Sequence, residues 1–367
     1  MSNFGDLANP WVPGLPVYEP GRPVEEVARE LGFGSADEID KLASNENALG
    51  PSPRAVRAMQ EQATQMHRYP DGGAYYLKRA LAAKLDVEPG QILPTNGSNE
   101  ALELLGHVFL NDSVEIVMAD TAFVVYRLVA AAAQSGVVAV PMKDYTHDLD
   151  GMRAAISPDT RIVFVSNPNN PTGTAVGSDD VARFMDSVPD TAVICFDEAY
   201  VELLDEEDRP DTLQYVRDGR NVVVLRTFSK VYGLAGLRIG YAAAPEECMA
   251  LLNRVRQPFN VNAMALAAAE AALEDEEHVE RTRAMVREGL AGLADALDEA
   301  GIPYVPSVVN FMLVEVGAGR TVFGELQKRG VIVRPMDGYG LPKHVRVTVG
   351  TRKENERFVR ELKAALA

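Results

Sequence analysis

The stretch NVVVLRTFSKVYGLAGLRIGY (221–241) begins as a β-branched run and continues into an apolar segment that contains Lys230 and Arg238. The β-branched run predicts a buried strand that ends near residue 229. No acidic residue lies between the lysine and the arginine, although the chain carries 53 Asp and Glu against 36 Lys and Arg. Two basic residues kept in an uncharged segment of an acidic chain indicate that their partner is an anionic ligand.

Similar short apolar runs alternate with helical segments through the middle of the chain. They are VEIVMA (114–119), RIVFVS (161–166) and AVICFDEAY (192–200). Strands that alternate with helices predict a mostly parallel sheet with helices on both faces. In such a sheet, ligands bind at the carboxyl ends of the strands.

The C-terminal third has a different pattern. A long amphipathic helix is predicted over residues 276–300, with one apolar stripe formed by Val286, Leu290, Leu293 and Leu297. The strand-like segments FMLVEV, VIVRP and VRVTVG follow it. We therefore predict an α/β fold with a large domain of residues 45–265 and a smaller α+β domain of residues 1–44 plus 266–367. The first 40 or so residues have too little core to stand alone and are expected to pack on the smaller domain or over the cleft.

Composition excludes several classes of function. The net charge of −17 argues against a nucleic-acid partner, because few basic residues are available to neutralise phosphates. No apolar run approaches the ~18 residues of a membrane span, and the N-terminal segment has no signal-peptide pattern. The two cysteines, Cys195 and Cys248, and the five scattered histidines show no metal-ligand spacing. We expect a cytoplasmic protein without a metal site.

Three further segments place polar residues where strands end or helices begin. They are SNPNNPTG (166–173), FDEAY (196–200) and TNGSNEALELL (95–105). Each alone has an ordinary explanation as a turn, a helix cap or a plain helix start. Together they describe one ligand. A helix N-terminus and Arg238 suit a phosphate, buried Asp197 suits a cationic ring nitrogen, and Lys230 in an apolar pocket suits an aldehyde. A phosphate, a pyridine nitrogen and an aldehyde are all present in pyridoxal 5′-phosphate.

With these motifs the sequence resembles the fold-type I pyridoxal-phosphate-dependent aminotransferases. The resemblance runs from LASNENALGPSP (42–53) to VRVTVGTRKENERF (345–358), nearly the whole chain. Within that group the sequence most resembles the histidinol-phosphate aminotransferases, through the segments YPDGG (69–73), RQPFNVN (256–262) and GTRKENERF (350–358).

The resemblance implies roles for individual residues. Lys230 is expected to bond to the cofactor aldehyde and later to carry a proton, and Asp197 to keep the pyridine nitrogen protonated. Asn170 and Tyr200 are expected to hydrogen-bond the ring oxygen, and Phe123 to stack on the ring. The residues expected around the phosphate are Gly97, Ser98, Asn99, Thr227, Ser229 and Arg238.

Two departures from the family pattern stand near these positions. Asn99 occupies a position where family members often have Asp, and DTAF (120–123) replaces a Pro-containing turn. A backbone N–H donor is unaffected by the first change, so we expect the cofactor to be retained. Gly233 and Gly236 are expected to permit a tight turn that directs Lys230 and Arg238 into one cleft.

The resemblance also implies the substrates and the assembly. Arg334 and Arg346 match the substrate-anion arginines, Tyr18 and Asn45 match positions near the substrate, and Tyr126 is expected to add to that wall. Tyr69 matches a tyrosine that reaches the partner's phosphate, which implies a homodimer with shared sites. The expected reaction is L-histidinol phosphate plus 2-oxoglutarate giving imidazole-acetol phosphate plus L-glutamate, in histidine biosynthesis.

Alternatives remain open at this point. An aromatic amino-acid aminotransferase shares these motifs, and a pyridoxal-phosphate-dependent decarboxylase acting on a phosphorylated amino acid is a second rival. A DNA-binding regulator with the same fold is disfavoured, because the first 40 residues are acidic and proline-rich. A nicotinamide dehydrogenase is disfavoured, because GLAGLRIG (233–240) has the wrong glycine spacing.

Overall fold

The computed structural model describes residues 3–15, 17 and 21–367. Its strands, in chain order, are β1 (Asp40–Lys41), β2 (Ile92–Thr95), β3 (Glu115–Ala119), β4 (Gly136–Val140), β5 (Thr160–Ser166), β6 (Val193–Asp197), β7 (Val222–Thr227), β8 (Gly240–Ala243), β9 (Tyr304–Val305), β10 (Phe311–Glu315), β11 (Val331–Ile332), β12 (Arg334–Pro335) and β13 (His344–Thr348).

The α-helices are α1 (Phe4–Leu7), α2 (Val24–Leu31), α3 (Pro53–Gln62), α4 (Tyr75–Leu85), α5 (Ser98–Phe109), α6 (Val125–Ala132), α7 (Leu149–Ala154), α8 (Ser178–Ser187), α9 (Leu213–Arg217), α10 (Glu246–Val255), α11 (Ala263–Leu273), α12 (Glu276–Glu299), α13 (Gly319–Lys328) and α14 (Arg352–Leu366). Short 3-10 helices connect them at Val12–Gly14, Ala36–Glu38, Ala63–Gln65, Pro89–Gln91, Val201–Leu203, Glu206–Asp208, Ala235–Leu237 and Asp337–Tyr339. No helix in residues 3–15 and 21–367 is long and apolar enough to cross a membrane.

A seven-stranded central sheet has the strand order β2-β8-β7-β6-β5-β3-β4. Neighbours from β7 to β4 run parallel, whereas β8 is antiparallel to both β7 and β2. Parallel neighbours need crossover connections. Helices α6, α7, α8 and α9 lie in the connections between the successive strands from β3 to β7. The predicted mostly parallel α/β fold is confirmed.

The composition of β5 explains why the central sheet has an apolar core on each face. Val163 and Val165 join the larger apolar cluster on one face. Ile162 and Phe164 join a second cluster on the other face. Alternate residues of a strand point to opposite faces, so an uninterrupted apolar run is typical of a strand buried on both sides.

A smaller antiparallel sheet, ordered β12-β13-β10-β9, packs against the long helix α12 through Leu293 and Leu297. The predicted helix at 276–300 is confirmed as α12, Glu276–Glu299. The N-terminal segment packs on this part of the molecule. Strand β1 pairs in parallel with β11, and Val27 and Ile39 join the apolar cluster that contains Ile332. The packing expected of the N-terminal segment is confirmed for residues 24–43. The side chains of Phe4, Leu7 and Val17 are exposed instead, and the boundary between two domains stays a prediction.

The carboxyl ends of β5, β6 and β7 lie side by side at one edge of the central sheet. Ser166 pairs in register with Asp197, and Asp197 pairs with Leu225 on the next strand. The polar segments that leave these strands therefore start from neighbouring points. This arrangement brings together the motifs at 166–173, 196–200 and 227–238, which are far apart in the sequence.

Candidate active site

A cavity of about 220 Å³ opens at this edge of the central sheet, facing the smaller sheet. Residues from both sheets and from the N-terminal segment form its walls. The predicted site residues that line it are Asn45, Ser98, Asn99, Phe123, Asn170, Asp197, Tyr200, Thr227, Ser229, Lys230, Arg238, Arg334 and Arg346.

Lys230 follows β7 and is partly buried in the wall of the cavity. Its Nζ donates to the carbonyl oxygen of Ser44 at 3.4 Å and lies 5.4 Å from the centre of the Tyr200 ring. Burial, together with the positive charges of Arg346 and Arg238, lowers the pKa of Lys230 to about 8. A lowered pKa increases the neutral fraction of the amine, which is its nucleophilic form.

Asp197 is the last residue of β6 and is 4% exposed. Its Oδ2 accepts a hydrogen bond from the hydroxyl of Tyr126 at 2.7 Å. Its Oδ1 is buried and has no hydrogen-bond partner among the described residues. Burial raises the pKa of Asp197, and the hydrogen bond from Tyr126 and the backbone N–H of Ala199 oppose that rise, which leaves the pKa at about 6. A buried carboxylate oxygen without a donor is costly, so its presence in a cavity wall indicates a ligand that carries an N–H group.

The first turn of α5 and the side chain of Arg238 form an anion-binding end of the cavity. Gly97 precedes the helix with φ +74°, and a Cβ there would lie 2.7 Å from Nη2 of Arg238. A Cβ on Gly240 would lie 2.7 Å from the backbone nitrogen of Ser98. The absence of side chains at both glycines lets the guanidinium lie against the helix N-terminus. Backbone N–H groups beside a guanidinium are well suited to a phosphate.

Two hydroxyl residues complete the same wall. The backbone nitrogen of Ser229 donates to Oγ1 of Thr227 at 3.1 Å, and both residues are buried at the cavity. This bond holds the turn between β7 and Lys230 in place.

The two glycines between Lys230 and Arg238 are not equivalent. Gly233 has φ +70°, and a Cβ there would lie 2.2 Å from the carbonyl oxygen of Gly50. Gly236 lacks a positive φ and faces open space, so its backbone geometry would also accept a residue with a side chain. The second left-handed residue of this turn is Arg238 itself, with φ +55°.

Arg334 and Arg346 are direct cross-strand partners on β12 and β13. Arg346 is 6% exposed, and it donates from Nη2 to the carbonyl oxygen of Ala43 at 2.9 Å and from Nη1 to Oδ1 of Asn170 at 2.5 Å. Its guanidinium carbon lies 5.1 Å from the centre of the Phe311 ring. Like charges placed directly opposite each other destabilise a sheet. Two such arginines in one cavity wall therefore indicate an anionic ligand.

Asn45 and Tyr200 are linked across the cavity. Nδ2 of Asn45 donates to the Tyr200 hydroxyl at 2.9 Å, and the backbone nitrogen of Asn45 donates to Oγ1 of Thr348 at 2.9 Å. Burial raises the pKa of Tyr200 to about 12, so its hydroxyl stays protonated at neutral pH. The phenol can therefore accept from Asn45 and donate its own proton to a ligand oxygen.

The aromatic residues of α6 and its preceding turn have different positions. Phe123 faces the cavity and meets Tyr126 edge to face, with ring centres 5.7 Å apart. Tyr126 is fully buried and stacks on Phe164 with ring centres 4.5 Å apart. The expectation that Tyr126 adds to the substrate wall is wrong, because α6 turns this residue toward the sheet and behind Asp197.

Three other predicted residues lie outside the cavity wall or outside the described residues. Gly97 is buried beneath Arg238. Tyr69 is 83% exposed on another face, where it stacks on Phe259 at 4.7 Å. Tyr18 lies outside the described residues.

The structure also adds residues that the sequence analysis missed. The additional lining residues are Gly21, Ala43, Ser44, Ser166, Ala199 and Tyr339. Ser166 and Ala199 lie inside motifs already identified, so their position next to predicted site residues could have indicated that they line the cavity. Tyr339 comes from the 3-10 helix that follows β12, and the Arg320–Asp337 ion pair at 2.6 Å anchors this helix. No local pattern distinguishes Tyr339 from an ordinary surface residue.

The donor set fits pyridoxal 5′-phosphate. The unpartnered Oδ1 of Asp197 matches a protonated ring nitrogen, and the cradle formed by Gly97 and Arg238 matches a phosphate. Lys230, with its lowered pKa, matches the aldehyde.

Comparisons with known proteins agree with this fit. The chain matches the family described as Aminotransferase class I and II over residues 37–362. It is 50% identical to a histidinol-phosphate aminotransferase of Akkermansia muciniphila, over 98% of this chain and 99% of the relative. It is 49% identical to one of Moorella thermoacetica, over 95% of this chain and 90% of the relative.

A solved structure extends the comparison to the fold and the cofactor. The crystal structure of histidinol-phosphate aminotransferase from Sinorhizobium meliloti, in complex with pyridoxal-5′-phosphate, superposes with a TM-score of 0.89 at 25% sequence identity. The match covers 98% of this chain and 97% of that one. The chain therefore belongs to the class I and II aminotransferase family, and its cofactor is pyridoxal 5′-phosphate.

Proposed function

We propose that the enzyme transfers the amino group of L-histidinol phosphate to 2-oxoglutarate, giving imidazole-acetol phosphate and L-glutamate, in histidine biosynthesis. The observation that carries this proposal is the cross-strand pair of Arg334 and Arg346 in the cavity that also contains Lys230. Two guanidinium groups suit the dianionic phosphate of the amino donor. The curated relatives named above are histidinol-phosphate aminotransferases, which supports the same substrate.

Lys230 carries the proton transfer in this proposal. When bound, pyridoxal 5′-phosphate supplies an aldehyde that takes up an amino group and a ring that withdraws electrons from the reacting carbon of the substrate. Nζ of Lys230 removes the proton from the amino-bearing carbon of the substrate and holds it. The lowered pKa of Lys230, about 8, suits this work, because a general base is most effective when its pKa is near the working pH.

Asp197 and two neighbours orient the ring. Oδ1 of Asp197 would hold the ring N–H, and the negative charge of the carboxylate favours the protonated nitrogen. Tyr200 donates its hydroxyl proton to the ring oxygen, and the amide nitrogen of Asn170 adds a second donor. Because Asn170 accepts from Arg346 through its Oδ1, the ring end and the substrate-anion end of the cavity are mechanically connected.

The arginine pair serves both halves of the reaction. Arg346 is held by Ala43 and Asn170, so its guanidinium is already oriented before an anion arrives. Preorganisation of this kind reduces the entropy lost on binding. We assign the phosphate of histidinol phosphate to both guanidinium groups and a carboxylate of glutamate to Arg346, in alternate half-reactions.

The test compares kcat/KM for L-histidinol phosphate with kcat/KM for L-phenylalanine, each with 2-oxoglutarate. We expect histidinol phosphate to be preferred by about tenfold to a hundredfold, the size expected for additional charge-assisted hydrogen bonds to a dianion. A clear preference for phenylalanine would replace the proposal with an aromatic amino-acid aminotransferase. Release of carbon dioxide without a keto-acid requirement would replace it with a decarboxylase.

We also propose a homodimer in which Tyr69 of each copy completes the site of the other. The support is a set of exposed apolar residues, Met66, Tyr69, Tyr75, Tyr76 and Phe259, with exposures from 45% to 83%. Two pairs among them, Tyr69 with Phe259 and Tyr75 with Tyr76, are in ring contact. Large exposed apolar patches on a protein often mark sites of protein–protein interaction. The resemblance of YPDGG (69–73) to the family tyrosine motif supports the same assignment.

Mixing two impaired variants tests the shared site. Lys230→Ala lacks the amine but still supplies Tyr69, whereas Tyr69→Ala keeps Lys230. After subunit exchange, heterodimers hold one complete site, so about a quarter of wild-type activity should return. Light scattering should give twice the chain mass of 39.8 kDa. A monomeric mass, or no recovery of activity on mixing, contradicts the proposal.

We propose a cytoplasmic location as well. Cys195 and Cys248 are both free, which is typical of a reducing compartment. Fractionation of cells expressing the protein would test this, and recovery in the medium or the periplasm would contradict it.

A further inference from the structure

We infer that Tyr126 is a positioning residue, which holds the Asp197 carboxylate in the orientation needed to meet the cofactor ring. The inference rests on the proposed role of Asp197 at the ring nitrogen. It goes beyond that role, because it assigns a function to a residue outside the cavity wall. That function is to orient the Asp197 side chain, which contacts the cofactor.

The geometry around Asp197 separates its two oxygens. Oδ2 accepts from the Tyr126 hydroxyl at 2.7 Å, the length of a strong hydrogen bond from a hydroxyl. Oδ1 has no partner within the described part of the chain. Since Tyr126 fixes one oxygen behind the cavity wall, rotation about the Asp197 side chain is restricted and the other oxygen is left for a ligand.

The ring of Tyr126 is itself held by packing. It lies parallel to Phe164, with an interplanar angle of 1° and ring centres 4.5 Å apart. Its second aromatic contact is Phe123, whose ring lies at 85° to it. Phe164 belongs to β5 and Asp197 to β6, so the hydroxyl is directed toward the end of the neighbouring strand. Aromatic pairs of this geometry add stability beyond their buried area.

Tyr126 therefore touches two predicted cofactor contacts at once. Its hydroxyl holds Asp197, and its ring supports Phe123, the predicted stacking residue. A single buried side chain thus couples the contact at the ring edge to the contact at the ring face.

Electrostatics gives the hydrogen bond a second effect. Burial raises the pKa of Asp197 and the Tyr126 hydrogen bond acts against that rise, so that the pKa lies at about 6. Burial and the charge of Asp197 raise the pKa of Tyr126 well above its usual value, so the phenol remains a donor. Four other titratable groups interact electrostatically with Asp197, namely Lys230, Glu198, Tyr200 and Cys195. Loss of the hydroxyl should therefore favour the neutral acid.

The test is Tyr126→Phe, which removes the hydroxyl and keeps both ring contacts. We expect the dissociation constant of the apoenzyme for pyridoxal 5′-phosphate, measured by fluorescence quenching, to rise about tenfold to a hundredfold. We also expect the acidic limb of the kcat profile to move to higher pH, because the pKa of Asp197 rises. Cofactor affinity does not depend on the substrate, so this readout stands even if the proposed substrate is wrong.

A matched control removes a tyrosine–aspartate hydrogen bond elsewhere. The Tyr304 hydroxyl donates to Oδ2 of Asp298 at 3.2 Å on the smaller sheet. Tyr304→Phe should leave cofactor affinity and the pH profile unchanged.

A double-mutant cycle with Asp197→Asn separates positioning from general structure. If Tyr126 acts through Asp197, Tyr126→Phe should weaken cofactor binding much less in the Asp197→Asn background than in wild type. Equal losses in the two backgrounds would overturn the inference. Wild-type affinity together with an unshifted pH profile in Tyr126→Phe would overturn it as well. Thermal melting of each apoenzyme gives the temperature range in which every variant is folded, and the cofactor affinities of the cycle are compared within that range.

Discussion

Substitution of Gly97 by alanine should weaken cofactor binding while leaving most of the fold intact. Gly97 has φ +74° and ψ 162°, a backbone region that residues with a Cβ rarely occupy. Holding alanine in that conformation costs about 1–3 kcal/mol. The same Cβ would lie 2.7 Å from Nη2 and 3.3 Å from Cζ of Arg238, so the guanidinium must shift away from the helix N-terminus.

The shift of Arg238 sets the expected loss of affinity. Its Nη1 donates to the carbonyl oxygen of Ala235 at 3.0 Å, which limits the directions in which the group can move. One impaired charge-assisted hydrogen bond to the phosphate costs about 1.5–3 kcal/mol. Cofactor binding to Gly97→Ala should therefore weaken about tenfold to a hundredfold, as measured by titrating the apoenzyme with pyridoxal 5′-phosphate.

Gly236, which lies two residues before Arg238 in the sequence, provides the matched control. It lacks a positive φ and a Cβ there would meet no atom within 4 Å, so Gly236→Ala should bind cofactor as wild type does. The apoenzyme of Gly97→Ala should melt at a lower temperature than that of Gly236→Ala, because only the first variant is strained. Equal cofactor affinity in the two variants would refute the reasoning about Gly97.

Three further outcomes are expected. The rate at which apoenzyme takes up pyridoxal 5′-phosphate should rise with pH through about 8 and then level off, because the neutral amine of Lys230 is the reactive form; a flat profile contradicts this. Arg334→Gln should raise KM for histidinol phosphate about tenfold more than KM for glutamate, because the dianion uses both guanidinium groups; equal increases contradict this. Burial raises the pKa of Glu202 from 4.5 to about 7, so the folded carboxyl stays neutral where the unfolded one ionises. The free energy of unfolding of wild type, relative to that of Glu202→Gln, should therefore fall as pH rises from about 4.5 to 7. Calorimetry showing the same pH dependence for both proteins would count against this.

Much of the candidate site could be predicted because parallel strands share an edge. Asp197 and Lys230 lie 33 positions apart in the sequence, yet each follows an apolar run that becomes a strand of the central sheet. Neighbouring parallel strands end together, so residues at those ends meet without any knowledge of the loops. For the same reason Asn170, in the turn after β5, reaches the same cavity.

The errors and omissions concern side-chain direction and long-range packing. Tyr126 is three residues from Phe123, and the sequence does not say which of the two faces the cavity. The start of α6 decides this, because a rotation of about 100° per residue moves each side chain around the helix axis. Tyr339 enters the cavity wall only because the smaller sheet packs next to the central one.

The amino-acid sequence by itself determined the order of strands and helices and the chemical groups at the strand ends, since periodicity and residue type are local properties. Tertiary structure decided which groups meet. It placed Tyr126 on Asp197, Arg346 on Asn170 and Gly97 beneath Arg238. Hydrogen bonds and close contacts act only over a few ångströms, so these pairs exist only once the strands and helices have packed.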